Sequence, residues 1–175
     1  ELPSKTIYED DLIKVIMNIN PATDGHLLVL PKEHYINLFD LDNVVKIKDF
    51  LDNKGINLDV LVGGPPCQGF SLSNTMTRNM KNPNNSLFEE FLRFVNEIQP
   101  DWFLFENVEG FAHFEKGKIQ HLVEQRFRDM GYEVFPKVLW ASDYGVPQHR
   151  NRFFMVGNRL GINFEYPESL GTKIT

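Results

Sequence analysis

The chain has 175 residues, of which 42% are hydrophobic and 24% are charged, a composition typical of a folded globular protein and not of a disordered or collagen-like one. Its 18 Lys and Arg residues against 24 Asp and Glu residues give a formal net charge of -6, which argues against a broad basic surface for polyanions. Since no apolar run reaches the roughly 20 residues that cross a bilayer and residues 1–10 carry no secretory pattern, we expect an intracellular protein without a membrane partner, cytoplasmic in a bacterium or nuclear in a eukaryote.

Three short β-prone segments near the start of the chain predict a small antiparallel β-meander. The segments are Thr6 to Glu9, Leu12 to Asn18 and His26 to Leu30. Turn-forming residues separate them. A helix is predicted from about Val44 to Asn53, ending at Gly55. We therefore expect two parts, a meander over residues 1–41 and a larger segment over residues 42–175.

From residue 56 onward, short apolar runs alternate with helical patterns, which predicts an α/β fold with a wound, mostly parallel sheet and flanking helices. The predicted strands are Leu58 to Val62, Trp102 to Phe105, Glu133 to Trp140 and Arg152 to Gly157. Helices are predicted over Asn85 to Ile98 and Lys118 to Met130. Wound sheets bind ligands at the carboxyl ends of their parallel strands, so residues that follow each strand are candidates for a functional site.

Cys67 is the single cysteine of the chain, which excludes an internal disulfide and a multi-cysteine metal site. It stands directly after the first buried strand, within Gly63-Gly64-Pro65-Pro66-Cys67-Gln68-Gly69-Phe70-Ser71. Prolines stiffen such a loop, and glycines let a bound group approach the backbone. A lone cysteine is more often an inert buried thiol, but this position favours a reactive one.

Two further motifs lie where they can share a site with Cys67. Glu106-Asn107-Val108 follows the second buried strand, and since burial favours the protonated form of a carboxyl, Glu106 is a candidate acid. A helix-capping or solvent-facing glutamate fits this motif equally well on its own. Gln148, Arg150 and Arg152 alternate at the start of the last strand, which predicts one shared face that suits a planar or anionic ligand. Taken alone, such a strand start is usually a solvated edge.

Taken together, Pro-Pro-Cys-Gln, Glu-Asn-Val and Gln-x-Arg-x-Arg resemble the central catalytic motifs of the DNA cytosine-5 methyltransferase family, over about residues 58–157. The resemblance implies methyl transfer from S-adenosylmethionine to C5 of a cytosine that is flipped out of double-stranded DNA. It implies that Cys67 adds covalently to C6, that protonated Glu106 donates at N3, and that Arg150 and Arg152 hold the O2 side and nearby phosphates. The remaining implied contacts are Pro66, Gln68, Ser71, Asn107 and Gln148 for the substrate, and Pro66 and Leu87 for the cofactor.

Parts of the family pattern are missing from this sequence. The family normally carries a Phe-x-Gly-x-Gly loop for the cofactor, whereas this chain contains no Gly-x-Gly sequence. Residues 160–175 are also too short for a target-recognition domain after the last predicted strand. The resemblance therefore implies an incomplete cofactor site and an incomplete DNA-reading part.

In place of the expected beginning, about residues 2–41 resemble the first half of the histidine-triad (HIT) family. The resemblance is carried by Ile7-Tyr8-Glu9-Asp10-Asp11, Asn18-Ile19-Asn20-Pro21 and the run from Gly25 to His34. That family binds purine nucleotides and needs a His-x-His-x-His run for catalysis, but no two of the 5 histidines here lie two positions apart. The chain thus looks like a fusion. The alternatives to a methyltransferase are an inactive chimera and a HIT-like purine nucleotide-binding module. If the fusion consists of two half-domains, exposed sheet edges favour self-association of the chain.

Overall fold

The computed structural model describes residues 5–9, 13–17, 27–31, 44–65 and 87–171. By its contacts, the chain divides into two compact units, Glu1–Asp42 and Asn43–Thr175.

The first unit contains a three-stranded antiparallel sheet, which confirms the predicted meander. Its strands are β1 (Lys5–Glu9), β2 (Ile13–Met17) and β3 (Leu27–Pro31), in the order β1-β2-β3. Glu9 and Lys14 are partners across β1 and β2, and the Lys14 Nζ lies 3.5 Å from the Glu9 Oε2. The β1–β2 register shifts between Thr6 and Tyr8, whereas the β2–β3 register is regular throughout.

The second unit contains a four-stranded sheet whose strand directions confirm the predicted α/β fold. Its strands are β4 (Val60–Gly63), β5 (Trp102–Val108), β6 (Glu133–Trp140) and β7 (Asn151–Asn158), in the order β4-β5-β7-β6. β4 and β5 are parallel, and β7 is antiparallel to both of its neighbours. Three of the four strands therefore run in one direction, with β7 reversed between them. The β6–β7 connection, residues 141–150, contains no crossover helix, which a parallel pair requires.

Four α-helices belong to the described part of this unit. They are α1 (Val44–Lys54), α2 (Leu87–Ile98), α3 (Glu109–His113) and α4 (Lys118–Asp129). α2 lies in the connection from β4 to β5, and α3 and α4 lie in the connection from β5 to β6, with a 3-10 turn over Phe114–Gly117. The sequence analysis missed α3, because five residues are too few to show a helical period.

Aromatic rings fill the space between the helices and one face of the sheet. Phe103 and Phe105 of β5 are at most 1% exposed, and they contact Phe91 of α2 at ring-centroid distances of 6.1 Å and 5.4 Å. Phe103 also stacks on Phe127 of α4, with the ring centroids 4.1 Å apart. Because side chains alternate along a strand, this packing leaves Leu104 and Glu106 on the other face of the sheet.

β5 is longer than predicted, since it continues through Val108 where the apolar pattern ends at Phe105. The additional residues pair with β7, with Glu106 opposite Phe154 and Val108 opposite Arg152. Backbone pairing with an antiparallel neighbour therefore extends the strand into its polar residues, which an apolar pattern cannot show.

No helix in the described ranges combines the length and the apolar character that a membrane span requires.

Tyr132, directly before β6, is buried with its hydroxyl group bonded. Its side chain is 2% exposed, and the hydroxyl donates a hydrogen bond to the Pro100 carbonyl oxygen at 2.6 Å. Burial raises the pKa of Tyr132 from its ordinary value of 10 to about 12. Because the folded-state pKa is the higher one, the stabilisation from the neutral phenol is fully present below pH 10 and is lost as the pH rises from 10 to about 12.

We expect Tyr132→Phe to lower the free energy of unfolding by about 1 kcal/mol at neutral pH, and we expect the difference from wild type to shrink at about pH 11. Urea denaturation at the two pH values measures both effects. Tyr144→Phe is the control, because that hydroxyl also donates to a proline carbonyl, Pro167 O at 3.0 Å, but in an exposed contact. If the free energy of unfolding of Tyr132→Phe differed from that of wild type by the same amount at both pH values, the raised pKa of Tyr132 would be contradicted.

Candidate active site

An ion pair between neighbouring strands lies at the centre of the candidate site. The Arg152 Nε of β7 is 2.9 Å from the Glu106 Oε1 of β5. The register places Arg152 opposite Val108, so Glu106 and Arg152 are diagonal neighbours on one face of the sheet. Their side chains are 35% and 25% exposed, respectively, so the pair remains accessible from solvent. The structure thus brings two predicted catalytic residues into direct contact.

Glu106 also lies against the loop that leaves β4. The last parallel pair of the two strands is Gly63 with Phe105, so Glu106 is the first residue of β5 beyond the end of β4. A Cβ atom placed on Gly64 would be 2.9 Å from the Glu106 Oε2. One carboxylate oxygen therefore faces Arg152 and the other faces backbone, and only glycine permits this approach.

Asn107 connects the same loop to β5 from the opposite face of the strand. Its side chain is 3% exposed, and its Nδ2 donates to the Pro65 carbonyl oxygen at 3.2 Å. Its Oδ1 accepts a hydrogen bond from the Val108 backbone N–H at 2.8 Å. These bonds hold the residue that precedes Pro66 and Cys67 against β5. A substrate contact by Asn107 stays a prediction, whereas a bracing role is visible in its contacts.

The arrangement predicted for Gln148 and Arg150 is wrong in one respect, because both residues precede β7 and do not alternate along it. The Gln148 N–H donates to the Val146 carbonyl oxygen at 2.7 Å, and the Arg150 N–H donates to the Gln148 carbonyl oxygen at 2.9 Å. Side chains at alternate positions share a face only where the backbone is extended. These tight turns interrupt the extended backbone, so Gln148 and Arg150 do not alternate with Arg152 as predicted. Both side chains are exposed, and their substrate contacts stay predictions.

The other predicted site residues fall outside what the structure describes. Cys67, Pro66, Gln68 and Ser71 belong to residues 66–86, which lie outside the described ranges. Leu87 begins α2, but its side chain is likewise not described. The described geometry therefore covers the Glu106 and Arg152 side of the candidate site together with the backbone that leads toward Cys67.

Sequence reasoning missed two polar residues beside the ion pair, Glu109 and Asn151. The Asn151 Nδ2 donates to the Glu109 Oε2 at 2.7 Å, and the Arg152 Nη1 donates to the Asn151 carbonyl oxygen at 2.7 Å. A carboxylate directly after one motif and an amide within the other were the available signals. They could be connected only once the β5–β7 register was known.

The fold and the site together define a wound α/β protein that carries a carboxylate–arginine pair at the end of β4. The model of the C-5 cytosine-specific DNA methylase family matches residues 32–173, which is most of the chain. The protein belongs to this family. The HIT domain model matches residues 1–62, in agreement with the second resemblance in the sequence.

Bacterial type II methyltransferases are among the relatives. The chain is 41% identical over 117 residues to M1.HphI of Haemophilus parahaemolyticus, a match that covers 66% of this chain and 32% of that protein. It is 37% identical over 145 residues to M.FnuDI of Fusobacterium nucleatum, covering 81% of this chain and 41% of that protein. Coverage of such relatives ranges from 25% to 48% of their length, so the chain spans less than half of each.

Solved structures show the same fold. A DNA modification methyltransferase encoded within an E. coli prophage aligns with a TM-score of 0.55 and 35% identity, covering 70% of this chain and 32% of that chain. A methyltransferase of Entamoeba histolytica aligns with a TM-score of 0.55 at 17% identity, covering 80% of this chain and 42% of that chain, and supports the fold alone. These likenesses agree with the Rossmann-like arrangement of the second unit.

We expect Gly64→Ala to displace the Glu106 carboxylate and to break its 2.9 Å contact with Arg152. The free energy of unfolding should change by less than about 1 kcal/mol, because a flexible side chain can move aside and a partly exposed ion pair contributes little. A crystal structure of the variant and urea denaturation measure the two effects.

Gly63→Ala is the matched control for this variant. Its Cβ would lie 2.5 Å from the Phe91 ring in the core, so we expect about 1–3 kcal/mol of destabilisation with the ion pair kept. An unmoved Glu106 in Gly64→Ala would contradict the close approach.

Proposed function

We propose that this chain carries the catalytic part of a DNA cytosine-5 methyltransferase, which acts on a cytosine flipped out of double-stranded DNA. The observation that supports this most is the Glu106–Arg152 ion pair, one residue beyond the end of β4. The same strand end leads within a few residues to Cys67. Cytosine C5 is a weak nucleophile, so an enzyme that methylates it needs a nucleophile and a proton donor on the same ring.

In the proposed reaction, the Cys67 thiolate forms a bond to C6 of the cytosine ring. The C5–C6 electron pair then shifts to C4–C5, and the C4–N3 pair moves onto N3. N3 takes a proton, so that no negative charge accumulates on the ring. We assign the donor role to Glu106, which must first take up a proton because it lies as the ion-pair partner of Arg152 in the described structure. The product is an enamine that is nucleophilic at C5, which is the atom to be methylated.

Arg152 has two proposed roles beside this ring. It contacts the Glu106 carboxyl at 2.9 Å and thereby orients it. Its guanidinium group is a planar set of donors suited to a carbonyl oxygen, so we assign it to the O2 side of the base. The 25% exposure of its side chain agrees with access from solvent. Arg150, which is exposed, is assigned to the adjacent phosphates.

S-adenosylmethionine is the proposed methyl donor, and when bound it supplies an electrophilic methyl group. The predicted contacts Pro66 and Leu87 lie outside the described side chains, and the sequence has no Gly-x-Gly loop. The described side chains thus include neither of the two residues that are predicted to contact this cofactor. The proposed activation of the cytosine ring depends on Cys67, Glu106 and Arg152, and the methyl group comes from S-adenosylmethionine.

We expect the wild-type chain, mixed with double-stranded DNA that contains 5-fluorocytosine and with S-adenosylmethionine, to form a covalent protein–DNA adduct. After methyl transfer, the hydrogen on C5 must be lost as a proton before the bond between sulfur and C6 can break. Fluorine takes the place of this hydrogen, so the bond between sulfur and C6 persists. Denaturing electrophoresis detects the adduct. Cys67→Ala should abolish it, and because Cys67 is the only cysteine, no other thiol can substitute.

DNA binding measured in parallel is the control, since Cys67→Ala should leave it unchanged. An absent wild-type adduct despite DNA binding would favour the inactive chimera. Equal trapping by Cys67→Ala would refute the proposed nucleophile. Binding of purine mononucleotides without any adduct would favour the HIT-like module.

The net charge of -6 implies that DNA contact depends on local cations and not on a broad basic surface. We expect the double variant Arg150→Ala with Arg152→Ala to lose most of its DNA affinity at low salt, with a weaker salt dependence. Fluorescence anisotropy at several salt concentrations measures both quantities. The control is the double variant Lys116→Ala with Lys118→Ala, which also removes two positive charges. An equal loss of DNA affinity in the two double variants would contradict a local DNA-binding site.

Self-association through sheet edges also stays a proposal. Among the described strands, β4 pairs with β5 alone, so one of its edges has no described strand partner. Val60 and Val62 on this strand are 51% and 64% exposed. Exposed apolar residues on an edge strand without charged side chains favour association.

A further inference from the structure

A second polar contact, on the face of the sheet opposite the Glu106–Arg152 pair, connects the start of β7 to the residue that follows β5. Asn151 is the first residue of β7, and its Nδ2 donates to the Glu109 Oε2 at 2.7 Å. Glu109 is the first residue of α3, directly after the last residue of β5. A hydrogen bond to a charged acceptor is stronger than a neutral one, so this contact fixes the start of β7 to the end of β5.

The contact is connected to Arg152 through the backbone. The Asn151 carbonyl oxygen accepts a hydrogen bond from the Arg152 Nη1 at 2.7 Å, while the Arg152 Nε faces the Glu106 Oε1 at 2.9 Å. The guanidinium group is therefore held at two nitrogens, by Glu106 and by the Asn151 backbone. Asn151 therefore takes part in both contacts, since its side chain donates to Glu109 and its backbone carbonyl oxygen accepts from Arg152.

Glu109 has a second, longer contact within its own helix. Its side chain is 28% exposed, and its other oxygen, Oε1, lies 3.7 Å from the His113 Nε2 one turn along α3. The two side chains Glu109 and Asn151 thus form a bridge on the helix-covered side of the strands, while Arg152 and Glu106 lie on the other side. Glu109 directly follows the Glu-Asn-Val motif, and Asn151 occupies a variable position of the Gln-x-Arg-x-Arg motif. The family resemblance therefore implied no substrate contact for either residue.

We propose that Glu109 and Asn151 are positioning residues, which hold the Arg152 guanidinium group in the orientation that contacts Glu106. This inference rests on the proposed function for its catalytic consequence, but the orientation of Arg152 can be measured without activity. Misplacement of a catalytic group by about 1 Å can cost up to roughly a hundredfold in rate, so a bridge of this kind bears directly on methyl transfer.

The test follows hydrogen exchange at the Arg152 Nε–H by NMR of the ¹⁵N-labelled full chain. We expect Glu109→Ala and Asn151→Ala each to raise this exchange rate roughly tenfold, as the loss of a charge-assisted hydrogen bond predicts. Glu109→Gln keeps an acceptor oxygen for Asn151 and should restore a rate close to wild type. Asn151→Asp keeps the size but replaces the donor, and should behave like Asn151→Ala.

Gln120→Ala is the matched control. Gln120 Nε2 donates to the Glu124 Oε1 at 2.7 Å, a bond of the same type and length within α4. The loss of this hydrogen bond should leave the hydrogen exchange rate at the Arg152 Nε–H unchanged. If an alanine variant fails to fold by circular dichroism, the comparison of Glu109→Gln with Asn151→Asp still decides, because both substitutions preserve size.

If the wild-type chain forms the 5-fluorocytosine adduct, Glu109→Ala should slow adduct formation roughly tenfold with DNA affinity unchanged, and Glu109→Gln should recover most of the rate. If no adduct forms, the proposed function fails, yet the exchange measurement still tests the positioning role. Folded Glu109→Ala and Asn151→Ala variants with wild-type exchange at Arg152 would overturn this inference in either case.

Discussion

The candidate site depends on the antiparallel pairing of β7 with β5. Glu106 lies near the end of β5, and Arg152 lies near the beginning of β7. Only antiparallel neighbours bring the end of one strand to the beginning of the other, and a parallel β7 would place Arg152 at the opposite edge of the sheet. The single reversed strand among four therefore determines that a carboxylate and a guanidinium group meet at the end of β4, where the chain continues toward Cys67.

The register that this contact requires is fixed by the packing on the other face of the sheet. A Cβ atom on Gly157 of β7 would overlap the ring of Phe103, its partner on β5, so the aromatic ring occupies the space that the glycine leaves. Phe103 in turn stacks on Phe127 of α4. A shift of one residue would place side chains where these rings now lie and would reverse the faces of β7. The aromatic core thus specifies which residue of β7 reaches Glu106.

Much of this fold follows from local patterns, but the details of the site do not. The apolar runs and helical periods gave β4, α2 and α4 to within a few residues because burial repeats at short range. The extension of β5 through Val108 depends on backbone pairing with a distant strand, to which an apolar pattern is insensitive. The position of Gln148 and Arg150 before β7 depends on local backbone turns, and the bond between Glu109 and Asn151 depends on register. Each of these is a long-range or conformational property, whereas the motifs themselves are local.

The contacts of the described residues show to which unit the overlap between the two family matches belongs. Residues 32–62 are matched by both family models, yet α1 and β4, the helix and the strand described in that range, have their partners in the second unit. α1 packs against α2, and the α1 residues Ile47 and Leu51 are buried. β4 pairs with β5. Among the described residues of the HIT match, β1, β2 and β3 belong to the first unit, and the sequence carries no His-x-His-x-His run. The described part of the second unit brings Glu106, Arg152 and the loop that leads toward Cys67 together at one end of the sheet.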